Sequence, residues 1–205
     1  MPIPFVLASQ SPARLATLRS AGVEPRVIVS HVDEDAVLAA LPQGTSPADA
    51  VLTLARAKAE EVVQHHDPRA LVLGCDSMLE FDGRIFGKPA TAETATERWR
   101  AMRGRTGVLH TGHWLIDARD GEQGPTTGAT SSTTVHFADL TDAEVDAYVA
   151  TGEPLQVAGA FTVDGLGGPY VESIEGDYHG VVGVSLPLVR HLLAQVSVAF
   201  HELRA

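Results

Sequence analysis

The chain has 205 residues, a length that suits one large domain or two closely packed lobes. It is 44% hydrophobic and 20% charged, which excludes a mostly disordered chain. A net charge of −11 argues against polymeric nucleic acid held on a broad basic face, so a cationic pocket for any small polyanion must be local.

Taken in chain order, residues 5–8 read as a short apolar strand. Ser11-Pro12 is an N-cap and first-turn signal for a helix with Leu15 and Leu18 on its apolar face, closed by Gly22. Residues 27–29 read as a second strand. Ser46-Pro47 repeats the helix start, and Val51, Leu54, Ala55, Lys58, Ala59 and Val62 follow at helical spacing. Residues 71–75 form a buried strand ending at Asp76, with a hairpin around Asp82-Gly83. A helix over 91–102 ends at Gly104. Strands over 108–116 and 130–137 pair across the connection 120–128. Thr141 with Glu144 is a capping box opening a helix toward Tyr148. Gly152, Gly159, Gly165, Gly167 and Gly168 punctuate a loop-rich region with short strands. Ser185-Leu186-Pro187 starts the last helix, with Leu188, Leu192 and Val196 on one face. The mixture predicts an α/β fold with a mixed, twisted sheet and flanking helices.

The apolar stretch 181–200 carries Arg190 and His191, so it reads as a terminal amphipathic helix and not a membrane span. The first residues lack the basic flank of a signal peptide. Cys75 is the single cysteine, which leaves no intrachain disulfide and no Cys-rich zinc site. Both points fit a reducing cytoplasm. Cys75 is expected to pack in the core.

Three near-motifs fail on chemistry. Residues 83–89 resemble a P-loop, but one residue is missing between the glycines and Pro89 replaces the magnesium-holding hydroxyl. In 165–169 a proline and a strand follow where a dinucleotide fingerprint needs a helix. In 183–187, Pro187 stands in place of the second glycine of a nucleophile elbow. The pairs His65-His66 and His110/His113 lack zinc-protease spacing and read as surface or loop histidines.

The remaining polar groups lie at element ends. Ser9 and Ser11 stand where a strand turns into a helix whose N-terminus can hold an anion, with Arg14 in its first turn. Asp33-Glu34-Asp35 follows a strand, Lys58 lies on a largely apolar helix, Asp76 ends the most apolar strand, and Lys88 precedes a fixed loop. Each alone has an ordinary structural reading. Together they are an inventory for phosphate chemistry: point cations, an anion-binding helix end, and carboxylates to hold a metal or activate water. Of 15 basic residues only Lys58 and Lys88 are lysine, as if those positions require a compact cation.

The same residues carry a resemblance. Ser9-Gln10-Ser11-Pro12-Ala13-Arg14 is similar to the opening motif of the Maf family of nucleotide pyrophosphatases. Asp33-Glu34, Ala57-Lys58-Ala59, Asp76-Ser77 and Gly87-Lys88-Pro89 resemble its acidic pair, helix lysine, aspartate and second lysine. The match continues through Met102-Arg103-Gly104-Arg105-Thr106, through 148–154 and 158–161, and on to 174–178 and 181–183. Ala13, Gly107, Val157 and Asp164 depart from it, the last two where thymidine/uridine-type members carry Lys and Gln.

The resemblance implies a two-lobed fold around a cleft, similar to inosine triphosphatases, formed by a single domain over 1–205. It implies a nucleoside triphosphate substrate cleaved to monophosphate and pyrophosphate, with removal of non-standard nucleotides as an expected role. A divalent metal, Mg2+ or Mn2+, on Glu34 and Asp76 is implied, as is a homodimer. Asp76 would be the catalytic group, with Ser9, Ser11, Arg14, Glu34, Lys58, Lys88 and Asp164 binding substrate. Two alternatives stay open: a non-catalytic nucleotide-binding regulator of cell division and septum formation, and a metal-dependent phosphatase releasing orthophosphate.

Overall fold

Short polar side chains start most of the helices. In the computed structural model, which describes residues 2–204, six helices open on a side-chain oxygen that accepts a backbone N–H three residues on. The caps are Ser11 for α1 (Pro12–Ser20), Asp33 for α2 (Glu34–Ala39), Ser46 for α3 (Pro47–His66), Thr91 for α4 (Ala92–Met102), Thr141 for α5 (Asp142–Ala150) and Ser185 for α7 (Leu186–Gln195). Each satisfies a donor that a helix end otherwise leaves unpaired. The capping box is complete, with the Thr141 N–H donating to Glu144 Oε2 at 2.8 Å. A short α6 spans Tyr178–Val182.

Among the described residues seven strands form one mixed sheet. They are β1 (Phe5–Ala8), β2 (Arg26–Val27), β3 (Leu71–Phe81), β4 (Arg84–Phe86), β5 (Thr106–Asp117), β6 (Thr126–Phe137) and β7 (Val171–Glu175). The order is β2-β1-β3-β5-β6-β7, with β4 paired to β3. β1 runs parallel to β2 and to β3, and β3–β4 and β6–β7 are antiparallel. Asp82 and Gly83, at φ 50° and 68°, make the two-residue turn between β3 and β4, which needs positive φ at both positions.

Four expectations are corrected. β3 does not end at Asp76: the buried Met78, Leu79 and Phe81 and the tight turn carry the strand five residues further, so Asp76 lies mid-strand. The second strand is Arg26–Val27, and the acidic segment after it coils into α2 once Asp33 caps it. Residues 181–200 are not one helix. α6 stops at Val182, Gly183 takes φ +126°, and α7 starts after Ser185, burying Val189, Leu192 and Leu193. The glycine-rich region before β7 forms short 3-10 turns over Glu153–Gln156, Ala158–Ala160 and Gly168–Tyr170, not short strands.

The chain divides into two compact units. The first holds the residues up to Asp76, Thr111–Ser131, and those from Gly183 on. Its core joins Leu7, Leu18, Leu73, Cys75, Leu115 and Leu192. The second holds Ser77–His110 and Ser132–Val182. It is built around the buried Trp99, whose ring lies 5.5–6.0 Å from Tyr148, Phe137 and Tyr170 and whose Nε1–H donates to the Ala160 carbonyl at 2.7 Å. Among the described residues no helix is long and apolar enough to cross a membrane.

Gly74 sets how closely α3 lies on β3. A Cβ there would run into the Ala55 carbonyl oxygen and stand 3.0 Å from the Ala59 nitrogen. Both are helix backbone, which cannot yield as a flexible side chain would. Gly74→Ala should therefore destabilise the protein by about 2 kcal/mol, within the usual range for overpacking. A denaturant midpoint unchanged from wild type would refute the close-packing account.

Candidate active site

The first unit gathers six of the eight residues singled out in the sequence. α3 presents Lys58 among Leu54, Ala55, Ala59 and Val62, all fully buried. Over Gly74 the helix lies close enough for Lys58 Nζ to reach Asp76 Oδ1 at 2.6 Å. The same Nζ lies 2.7 Å from Glu34 Oε1 in the first turn of α2. Lys58 and Asp76 are 10% and 9% exposed in their side chains, whereas Glu34 is 52% exposed, so one ammonium links a buried carboxylate to a solvated one.

Burial dominates the protonation of Asp76. It raises the carboxyl pKa above the ordinary aspartate range against the opposing pull of the Lys58 and Arg14 cations, and Glu34 adds a smaller like-charge push upward. A raised pKa in a group partnered by a lysine is the property a general base needs.

The β1–α1 turn supplies the second half of this cluster. Ser9 Oγ accepts from the Ser11 N–H at 3.2 Å and from Arg14 Nη1 at 2.9 Å, which leaves its own O–H to donate. Ser11 caps α1 through the Arg14 N–H at 3.4 Å. Arg14 is buried, and its guanidinium also donates to the Cys75 carbonyl at 2.9 Å and the Gly183 carbonyl at 2.8 Å. It therefore ties the turn to β3 beside Asp76 as well as adding charge. The Cys75 thiol is fully buried, and burial pushes its pKa up to about 11, so it stays a protonated packing group.

Two of the expected residues belong to the second unit. Lys88 is exposed and follows β4. Asp164 is exposed on the turn before Gly168–Tyr170. The amides of that turn are bound by Glu153 instead: the Leu166 and Gly167 N–H groups donate to its carboxylate at 2.9 and 3.0 Å. Glu153 lies within a motif the sequence displays, but nothing in its spacing announces that role.

The histidine reading also needs correction. His110 and His113 are buried, not loop or surface groups. His113 Nδ1–H donates to the Thr111 carbonyl at 2.9 Å, and Nε2 accepts the Ser185 N–H at 2.8 Å, which fixes the neutral tautomer. His113 thus holds the start of α7 two residues from the carbonyl that Arg14 grips. A polar ring within a strand sequence reads as exposed until its partners are known.

The donor set tests whether a metal fits. Asp76 and Glu34 are hard-oxygen donors of the kind Mg2+ or Mn2+ takes, but the point their oxygens share is held by the Lys58 ammonium, 2.6 and 2.7 Å away. Among the described residues no three His, Cys, Asp or Glu groups gather as a metal site. A cation on these two carboxylates would have to share them with Lys58 and take most of its ligands from phosphate and water.

The electrostatics give a direct test by carboxyl titration, followed by NMR. Lys58→Met should raise the Asp76 pKa further, because it removes the nearest cation. Glu34→Gln should lower it, because it removes a like charge. Shifts of the same sign in both variants would contradict this arrangement.

The chain matches the Maf family, described as Maf-like protein, over residues 4–196. It is 56% identical over 203 residues to a Salinispora tropica protein named nucleoside triphosphate pyrophosphatase, covering 97% of this chain and 86% of that protein. Proteins of the same name from Rhodococcus jostii and Streptomyces coelicolor are 55% and 53% identical, covering 98% of this chain in each case and 96% and 94% of theirs. A solved HAM1 protein from Coxiella burnetii is similar at 19% identity over 67% of this chain and 74% of that chain, with a TM-score of 0.40, too distant to carry an argument. The motifs read from Ser9 to Gly183 fall inside the matched span, and the chain belongs to the Maf family.

Proposed function

We propose that this protein is a nucleoside triphosphate pyrophosphatase that cleaves between the α and β phosphates, giving a nucleoside monophosphate and pyrophosphate. The observation that carries the reading is the buried Asp76 carboxylate held by Lys58, in a chain more than half identical to relatives with that name. Asp76 accepts a proton from water as its oxygen bonds to the α phosphorus, and the bridging oxygen departs with pyrophosphate. Lys58 opposes the upward push of burial on the Asp76 pKa and offers positive charge to the phosphates. Ser9 O–H donates to a phosphate oxygen, and the capped start of α1 favours the same anion. Lys88 is the other compact cation assigned to the triphosphate. A divalent cation on Glu34 and Asp76 would supply Lewis-acid neutralisation of the phosphate oxygens.

A nucleotide-binding regulator that turns nothing over has no use for a buried carboxylate of raised basicity beside its phosphate site. For the base, Asp164 is an acceptor, and among the described residues nothing donates to it, since Glu153 binds the turn amides. It suits a base edge with N–H donors, as in guanine or cytosine, over the carbonyl-only contact of uracil or thymine.

Product analysis tests the reaction. With Mg2+ or Mn2+ the enzyme should release pyrophosphate, and EDTA should abolish turnover. Orthophosphate with a diphosphate left behind would falsify α–β cleavage and favour the phosphatase alternative. No product at all would favour the regulator. Asp76→Asn should lower kcat about 100-fold or more while the protein still folds. The basic form of Asp76 is the active one, so kcat/KM should fall as pH drops, with an acid limb above the ordinary aspartate pKa of about 3.9. Lys58→Arg and Lys88→Arg should each impair activity, whereas Arg69→Lys and Arg119→Lys, at exposed positions, should not. Asp164→Gln should shift the ranking of natural triphosphates by kcat/KM toward thymidine and uridine; an unchanged ranking would remove Asp164 from base recognition.

A further inference from the structure

The segment 162–167 folds over one carboxylate. Tyr148 Oη and Thr162 Oγ1 each donate to Glu153 Oε2 at 2.7 Å, the Gly167 N–H donates to the same oxygen at 3.0 Å, and the Leu166 N–H donates to Oε1 at 2.9 Å. The donors lie on both sides of Asp164 in sequence. Together they outweigh the opposing effect of burial and hold the Glu153 carboxyl below its ordinary pKa. Tyr148 is itself fixed in the aromatic cluster, with its ring 5.5 Å from Trp99 and 5.2 Å from Tyr170. The glycines make the approach possible: a Cβ on Gly165 would run into Glu153 Oε1, and one on Gly167 would run into the Tyr148 hydroxyl. Gly152 before it, at φ +78°, turns the chain out of α5 and delivers Glu153 to this position.

We propose that Glu153 is the positioning residue for base discrimination. Its carboxylate anchors segment 162–167 to the core of the second unit, so that Asp164 meets the base in one orientation. This rests on the reading of Asp164 as the base contact. Two backbone N–H groups and two hydroxyls all point donors at Glu153, so an acceptor-only group is required there. A glutamine must turn an NH2 toward one of those donors.

The test compares Glu153→Gln, Asp164→Gln and the double variant on the natural triphosphates, with kcat and KM determined separately. Glu153→Gln should raise KM for the preferred triphosphate about tenfold, as expected for lost charge-assisted hydrogen bonds, while kcat stays within about twofold. It should compress the base ranking, and adding it to Asp164→Gln should not change the ranking further, because it acts through that residue. Tyr148→Phe, which removes one donor and keeps the ring, should move the same parameters less. Amide exchange should accelerate at Leu166 and Gly167 but not around Trp99, which separates release of the segment from unfolding. An equal loss on every triphosphate, or a fall in kcat with the ranking intact, would overturn the proposal. If Asp164→Gln changes the ranking and Glu153→Gln does not, the anchor alone fails. If Asp164→Gln leaves the ranking unchanged, the base reading fails and takes the anchor with it.

Discussion

Lys58 and Asp76 are an ion pair that water cannot fully reach, and the surrounding structure is arranged to hold the two groups against each other. Removing either charge from water costs several kcal/mol, which mutual attraction offsets only at short range and with further hydrogen bonds. The 2.6 Å contact meets the first condition, and the second ammonium contact to Glu34 helps meet the other. Both depend on backbone geometry. α3 must lie directly on β3, and only a residue without a Cβ at position 74 allows it. The helix is apolar around Lys58, so the side chain is directed along a dry wall toward its partners.

Arg14 solves a related problem at the β1–α1 turn. A buried guanidinium needs acceptors, and it finds Ser9 Oγ with the carbonyls of Cys75 and Gly183. Those acceptors come from three separate stretches of the chain. One side chain thus fixes the Ser9 hydroxyl, the strand that carries Asp76, and the linker into α7. The protein is strongly acidic, so a phosphate ligand must be met by a few local cations, and Arg14 holds the framework in which they act.

The second unit uses one carboxylate where the first uses an ion pair. Among the described residues no cation lies within hydrogen-bonding distance of Glu153. It is stabilised by hydroxyl and amide donors, which lower its pKa where burial alone would raise it. Asp76 shows the opposite balance, because burial there exceeds the help from its cations. The two carboxylates are thus shifted in opposite directions: Asp76 binds a proton more readily than an ordinary aspartate and Glu153 less readily than an ordinary glutamate.

Local chemistry in the sequence determined the helix starts at Ser11, Ser46, Thr141 and Ser185, the hairpin at Asp82-Gly83, the buried strands and the α/β class. Those features depend on neighbours within a few residues, where propensity and periodicity act. The inventory of Ser9, Arg14, Glu34, Lys58 and Asp76 was legible as phosphate chemistry, and the motif order identified the family. Tertiary structure alone decided which of these residues meet. Nothing in Gly74 marks it as the point where a helix backbone touches a strand, and nothing in Glu34 indicates that it shares an ammonium with a residue 42 positions away. The strand through Asp76, the buried neutral His113 and the four donors converging on Glu153 were hidden for the same reason. Each depends on hydrogen-bond partners distant in sequence or on a turn whose path packing sets, and a one-dimensional pattern carries no record of those distances.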